Sequence, residues 1–265
     1  GQSNPTYKLT DTAGRHFVLR AKPPGTLLKS AHAVDREFRV MTALATTAVP
    51  VPQMLHLSGE DSPLGAQFLV MEHLEGRVFW DPALPEQSPK FRQDAYHALV
   101  RTLAALHDVD PQAVGLADFG KPGNYFSRQV ARWTGQYRAC ETQTRPDMDW
   151  TIAWLERNMV PDDGQTAIVH GDYRLDNVMF DADTPDMIAV LDWELSTLGH
   201  PFADLAYQCM GLRLPQDGMI KGLEGIDRKA QGLPEEADYV AQYCALRGIA
   251  PPENWAFYMV FSFFR

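Results

Sequence analysis

A chain of 265 residues and 29.7 kDa, 45% apolar and 22% charged, has enough apolar material for a packed core, which excludes a disordered, collagen-like or disulfide-knot sequence. Lys and Arg number 24 against 34 Asp and Glu, and the net charge of −10 repels phosphate backbones and anionic lipid, setting nucleic acid and membranes aside as partners. Cys140, Cys209 and Cys244 lie far apart with no C-x-x-C spacing, so neither a disulfide framework nor a zinc knuckle is indicated, and a reducing cytoplasm is the expected compartment. The longest apolar stretch, Tyr258 to Phe264, falls far short of the roughly 20 residues a membrane helix needs and reads as core. No secretory pattern opens the chain. Gly1 begins inside a turn and Arg265 ends inside an apolar run, so a longer natural chain is expected.

The first 20 residues predict a β-hairpin: Tyr7 and Leu9 alternate with polar neighbours, Asp11-Thr12-Ala13-Gly14 supplies the turn, and His16 to Arg20 alternates again. Lys22-Pro23-Pro24-Gly25 breaks it. From Ala33 to Leu44, Val34, Phe38, Met41 and Leu44 recur every three or four positions, the stripe of an amphipathic helix, which Pro50 and Pro52 close off. Gln67 to Glu72 predicts a buried strand, and the connector through Gly76 is the candidate boundary between two lobes. Leu99, Leu103 and Leu106 mark a helix within Gln93 to His107, with weaker helical periodicity over Phe126 to Tyr137 and Met148 to Leu155. A β island interrupts them, with apolar runs at Ala167 to Val169, Val178 to Phe180 and Met187 to Leu191, the last two joined by turn residues.

That island carries the chemistry. His170-Gly171-Asp172-Tyr173-Arg174-Leu175-Asp176-Asn177 is an H-x-D-x-x-x-x-N pattern, and Asp192-Trp193-Glu194 follows the hairpin. Asn177 precedes one strand and Asp192 follows its antiparallel partner, so their oxygens converge at the open end across a spacing of about 5 Å. Amide and carboxylate oxygens are hard ligands of the kind Mg²⁺ takes when it also holds substrate phosphates, so Asn177 and Asp192 are the candidate metal ligands. Asp172 enters the same hairpin and is placed to accept a hydroxyl proton, as the candidate catalytic residue. These parts fit phosphoryl transfer, which also requires a cation on a strand paired with a helix Glu. Phe17-Val18-Leu19-Arg20 and Glu37 supply both in the right order. Ser3 and Asn4 occupy the position of a phosphate-covering turn, and Glu72, His73 and Leu74 the position of an inter-lobe hinge facing a nucleobase.

The ordered set of Arg20, Glu37, VMEHLEG, HGDYRLDN and DWE resembles the aminoglycoside phosphotransferase and choline kinase branch of the protein-kinase-like fold, over essentially the whole chain. VLRAKPPG, AHAVDREFRVM, GLADFGKPGNYFSRQ and LDWELSTLGHPFADLAYQ further resemble the kinase-like domain fused to some acyl-CoA dehydrogenases and its stand-alone bacterial relatives. The resemblance implies a bilobal α+β architecture, with a small antiparallel-sheet lobe including the hinge over residues 1–74 and a mostly helical lobe over 75–265. It implies an Mg²⁺-dependent kinase moving the γ-phosphate of ATP or GTP to a small-molecule hydroxyl, with a hydroxyacyl-CoA favoured as acceptor. The alternatives are an aminoglycoside acceptor and a non-catalytic nucleotide-binding domain.

Two near-motifs are set aside. Gly115 to Pro122 lacks the final Ser or Thr of a phosphate-binding loop, and Asp118-Phe119-Gly120 precedes the catalytic loop instead of following it. His170 reads as a packing and hydrogen-bonding residue, and Asp204 as a brace for the catalytic loop. Glu194 is divided between assisting a second metal and capping a helix. Lys121, Arg128 and Arg132 form either a site for CoA phosphates or an ordinary solvated basic face.

Overall fold

Alternation builds the first layer. In the computed structural model, which describes residues 4–23, 33–59 and 61–265, β1 (Thr6–Thr10) and β2 (His16–Ala21) form the expected hairpin, its turn held by Asp11 Oδ1 accepting from the backbone of Ala13 and Arg15 at 2.9 Å each. Helix α1 (Val34–Leu44) follows, then β3 (Met54–Leu57) and β4 (Phe68–Glu72), giving an antiparallel sheet in the order β1-β2-β4-β3. Strand β3 was not anticipated, because four residues between two prolines and a turn carry too little pattern to register. Val18 stands opposite Met71 and Arg20 opposite Leu69, so Val18 and Arg20 share one face of the sheet. Helix α1 buries Val34, Glu37, Val40, Met41 and Leu44, so a carboxylate sits within an otherwise apolar stripe.

The chain then leaves β4 and is stitched to the far lobe at once. Arg77 exchanges both backbone hydrogen bonds with Phe180 at 2.8 Å, and a Cβ on Gly76 would lie 2.4 Å from the Phe180 carbonyl, so only glycine permits this approach. Helix α2 (Pro89–His107) starts earlier than its periodicity predicts because Ser88 caps it, accepting from the Phe91 N–H at 3.2 Å, with Pro89 at the first turn. Helices α3 (Tyr125–Cys140) and α4 (Pro146–Arg157) follow.

The β island resolves into two small antiparallel pairs. Strand β5 (Ala167–Val169) pairs with β8 (Thr197–Gly199), while β6 (Val178–Phe180) pairs with β7 (Met187–Val190), which ends one residue before the predicted run. Helix α5 (Phe202–Met210) is buried nearly throughout, and α6 (Arg228–Gln231), α7 (Glu236–Arg247) and α8 (Trp255–Phe264) complete the helical layer. Tyr258 to Phe264, read from sequence as core, lies in α8, where Tyr258, Met259 and Phe261 are buried. The fold is a bilobal α+β arrangement of sheet lobe and helical lobe.

Candidate active site

The loop after β5 is shaped by a buried carboxylate. Asp204 of α5 accepts from the backbone N–H of His170 at 2.6 Å and of Gly171 at 2.9 Å. Burial works against its charge, yet the His107 ring and the Gly171 N–H outweigh it and hold the carboxyl below the usual range. Gly171 sits at φ +85°, and a Cβ there would lie 2.7 Å from the Leu195 carbonyl. His107, at the end of α2, contacts Asp204 through Nε2 at 3.3 Å and the Tyr243 hydroxyl through Nδ1 at 2.6 Å, and Arg247 donates to that hydroxyl at 3.0 Å. Burial pushes His107 down, so the ring is neutral with Nε2–H donating to Asp204. His170 ties the two site loops together, its Nδ1 accepting from Asp172 N at 3.2 Å and its Nε2 donating to the Leu191 carbonyl at 2.8 Å.

On that base Asp172 is held from three sides. Asn177 Nδ2 donates to its carbonyl and to its Oδ2, both at 2.8 Å, Arg174 Nε lies 3.3 Å from Oδ1, and the Tyr207 hydroxyl of α5 hydrogen-bonds the carboxylate. Burial first, and then the neighbouring Asp172 charge, push the Tyr207 phenol well above its ordinary range, so it stays a donor. Asn177 thus points its amide N–H at Asp172, leaving Oδ1 outside those two bonds. Asp192 lies just past β7, where Leu191 N donates to the Asn177 carbonyl at 2.8 Å, and it adopts a left-handed conformation at φ 63°. Aspartate tolerates that conformation, which the indole of buried Trp193 supports by donating to the Val190 carbonyl at 2.9 Å.

One guanidinium then meets three carboxylates. Arg20 reaches Asp192 Oδ1 at 2.6 Å, Glu37 Oε2 at 3.0 Å and Glu194 Oε2 at 3.7 Å. Burial opposes the Arg20 charge, but Glu37 and Asp192 outweigh it and raise its pKa. Glu37 is pushed up to about 7 by burial, Arg20 pulling it down and Asp192 and Glu194 pushing it up. An excess of negative charge beside Asn177 Oδ1 is the chemistry a divalent cation neutralises, so these oxygens fit Mg²⁺. Among the described residues no group of three His, Cys, Asp or Glu is arranged to hold a metal.

Arg20, Glu37, Asp172, Asn177, Asp192 and Tyr207 line one cavity of about 1250 Å³. Val18, Pro52 and Met71 from the sheet lobe, with Leu74, Met179 and Leu191, form an apolar section that includes Glu72 and His73. Phe79, Trp80, Met210, Leu212, Leu214 and Ile220 form a second apolar section past Asp172 and Tyr207. Asn4 is buried at the foot of β1 and is not part of this lining, whereas Thr6 is. Ser3 lies outside the described residues. Lys121 lines a separate cavity of about 300 Å³, Arg128 is spent on the Lys121 carbonyl at 2.6 Å, and none of the basic trio reaches the main cavity.

The near-motif at Asp118-Phe119-Gly120 has a structural role. Arg36 of α1 stacks over Phe119 at 4.1 Å and donates to its carbonyl at 2.7 Å, and Arg39 pairs with Asp118. Sequence reading missed Arg174, Tyr207 and His107, which sit beside Asp172 or under it.

Residues 1–250 match the family described as "Phosphotransferase enzyme family". The chain is 48% identical over 266 residues to acyl-CoA dehydrogenase family member 10 of Mus musculus, covering 100% of this chain but 25% of that protein, so it spans about a quarter of that relative's length. A Ralstonia eutropha structure, provisionally named an aminoglycoside phosphotransferase, superposes with a TM-score of 0.90 at 48% identity, over 100% of this chain and 78% of that one. An aminoglycoside phosphotransferase from Streptomyces rimosus in complex with ADP and streptomycin shares the fold, with a TM-score of 0.62 at 19% identity over 98% of this chain and 92% of that one. With Asp172, Asn177, Asp192 and the sheet-lobe cation Arg20 assembled around one cavity, and with the family match over residues 1–250, the chain belongs to the phosphotransferase enzyme family.

Proposed function

We propose that this chain moves the γ-phosphoryl group of ATP or GTP to a hydroxyl of a small molecule, with Mg²⁺. The observation that carries this reading is that Asp172 shares one cavity with the Arg20, Asn177 and Asp192 cluster and with apolar residues of the helical lobe. The lobe over residues 1–74 holds the nucleotide, its base against Val18 and Met71 with the hinge residues Glu72, His73 and Leu74 at the edge, and the lobe over 75–265 holds the acceptor. Arg20, backed by Glu37, steadies the phosphates, and Asn177 and Asp192 hold Mg²⁺, which supplies charge neutralisation on the phosphate oxygens. Asp172, oriented by Asn177 and Tyr207, takes the proton of the acceptor hydroxyl. The rate gain rests on positioning and electrostatics.

The acceptor favoured by the cavity is a hydroxyacyl thioester of CoA. Phe79, Trp80, Met210, Leu212, Leu214 and Ile220 suit a hydrocarbon chain. The similarity to an acyl-CoA dehydrogenase family member supports the same class. No described helix is long and apolar enough to cross a membrane, and a cytoplasmic location suits the free cysteines. The test is γ-phosphate transfer from Mg-ATP and Mg-GTP to a panel of 4-hydroxyacyl-CoAs, aminoglycosides, choline and homoserine, with Asp172→Asn as the blank. Transfer to the acyl-CoAs supports the reading, transfer to aminoglycosides alone replaces the acceptor, and nucleotide binding with no transfer to a wider metabolite set makes the domain non-catalytic.

A further inference from the structure

Three full cations line the cavity: Arg20, Arg174 and Lys221. Arg20 is engaged by three carboxylates, and Lys221 is paired with Asp81 at 2.8 Å at the outer end. Arg174 is different. It stands two residues after Asp172, anchored by Nη2 donating to Asp176 Oδ2 at 2.8 Å, while its Nε lies 3.3 Å from Asp172 Oδ1 but off the line of a hydrogen bond. The result is a partly exposed guanidinium on the cavity wall, paired with Asp176 and standing beside the group that receives the proton. A positive charge beside the reacting hydroxyl and open to the cavity is placed where charge develops on the transferred group.

Building on the phosphotransfer reading above, we propose that Arg174 is a catalytic residue whose guanidinium contacts an oxygen of the phosphoryl group in flight. In the step the acceptor oxygen bonds to the γ-phosphorus, the bond from that phosphorus to the bridging oxygen breaks, and the electron pair leaves with the nucleoside diphosphate. The hydroxyl proton passes to Asp172. As Asp172 becomes neutral its hold on Arg174 weakens, which frees the Nε–H for the phosphoryl oxygens at the moment their charge is spread. Asp176 keeps the guanidinium from following the product out. An arginine acting in this way contributes about 10³-fold or more to turnover, whereas one that only orients Asp172 leaves affinity for a transition-state mimic intact.

The experiment compares binding of Mg-ADP with binding of Mg-ADP plus aluminium fluoride, a planar mimic of the phosphoryl group, in the wild type, Arg174→Ala and Arg174→Lys, each checked by thermal melting. The wild type is expected to tighten when fluoride is added. Arg174→Ala should hold Mg-ADP within about twofold and lose at least 100-fold of the tightening, with added guanidinium restoring part of it. Arg174→Lys, which keeps the charge and the stem, should fold normally and tighten at least tenfold less than the wild type. Fluoride tightening in either variant equal to the wild type overturns the assignment, as does loss of Mg-ADP binding itself. A wild type that takes up no Mg-ADP overturns the phosphotransferase reading underneath it, and one that takes up Mg-ADP without tightening overturns the assignment for Arg174.

Discussion

The two ends of the cavity are held together by different forces. At the loop of Asp172, the backbone N–H groups of His170 and Gly171, Asp204, His107 and Tyr243 form a buried chain of hydrogen bonds that holds the residues just before Asp172. At the proposed acceptor end the walls are the stretch through Phe79 and Trp80 and the loop through Met219 and Ile220, with Trp80 78% and Met219 105% exposed, joined by the surface pair Lys221 and Asp81. Such a pair is worth at most about 1 kcal/mol. On the proposed reading, chemistry sits on the buried network and recognition on the exposed walls.

The sharpest break in that contrast is Asp172→Asn, which should bind nucleotide normally and lose about 10²- to 10⁴-fold in turnover, read as γ-phosphate transfer. Next, Asp204→Ala strips an acceptor from two buried N–H groups and from His107. It should cost on the order of 3 kcal/mol or more, seen as a drop of several degrees in Tm together with lost turnover. A smaller effect is expected in acid. His107 has its pKa lowered by burial, so the unfolded chain binds the proton first, and stability that is full above the unfolded value near 6.5 falls as pH drops below it. His107→Gln should melt lower at pH 8 and lose less than the wild type between pH 7 and 5.5. Smallest in stability is Trp80→Ala at the mouth, expected to stay within about 0.5 kcal/mol of the wild type while raising KM for the acceptor and leaving nucleotide affinity unchanged.

The same contrast explains what was legible in the sequence. Asp172, Asn177 and Asp192 are close along the chain and separated by turn residues, so hairpin geometry alone brings Asn177 and Asp192 to one end. Arg20 and Glu37 lie on a strand and a helix whose periods are plain. His107 is invisible by such reasoning, because a histidine closing a helix looks like any C-terminal cap until α5 and α7 pack on it. Tyr207 and Arg174 escape for a related reason: their partner is a carboxylate already given a role. The strands Met54–Leu57 and Thr197–Gly199 are too short for alternation to speak, and tertiary pairing alone makes them strands.

Helix α1 is gripped on both sides, by the ion pair of Glu37 with Arg20 and by Arg36 lying over Phe119 with its guanidinium on the Phe119 carbonyl. Swinging that helix outward would break a cation–π stack, a charged hydrogen bond and a buried ion pair together. A lobe fastened in this way keeps the carboxylate of Glu37 seated on Arg20 with no further contact needed to bring the helix in.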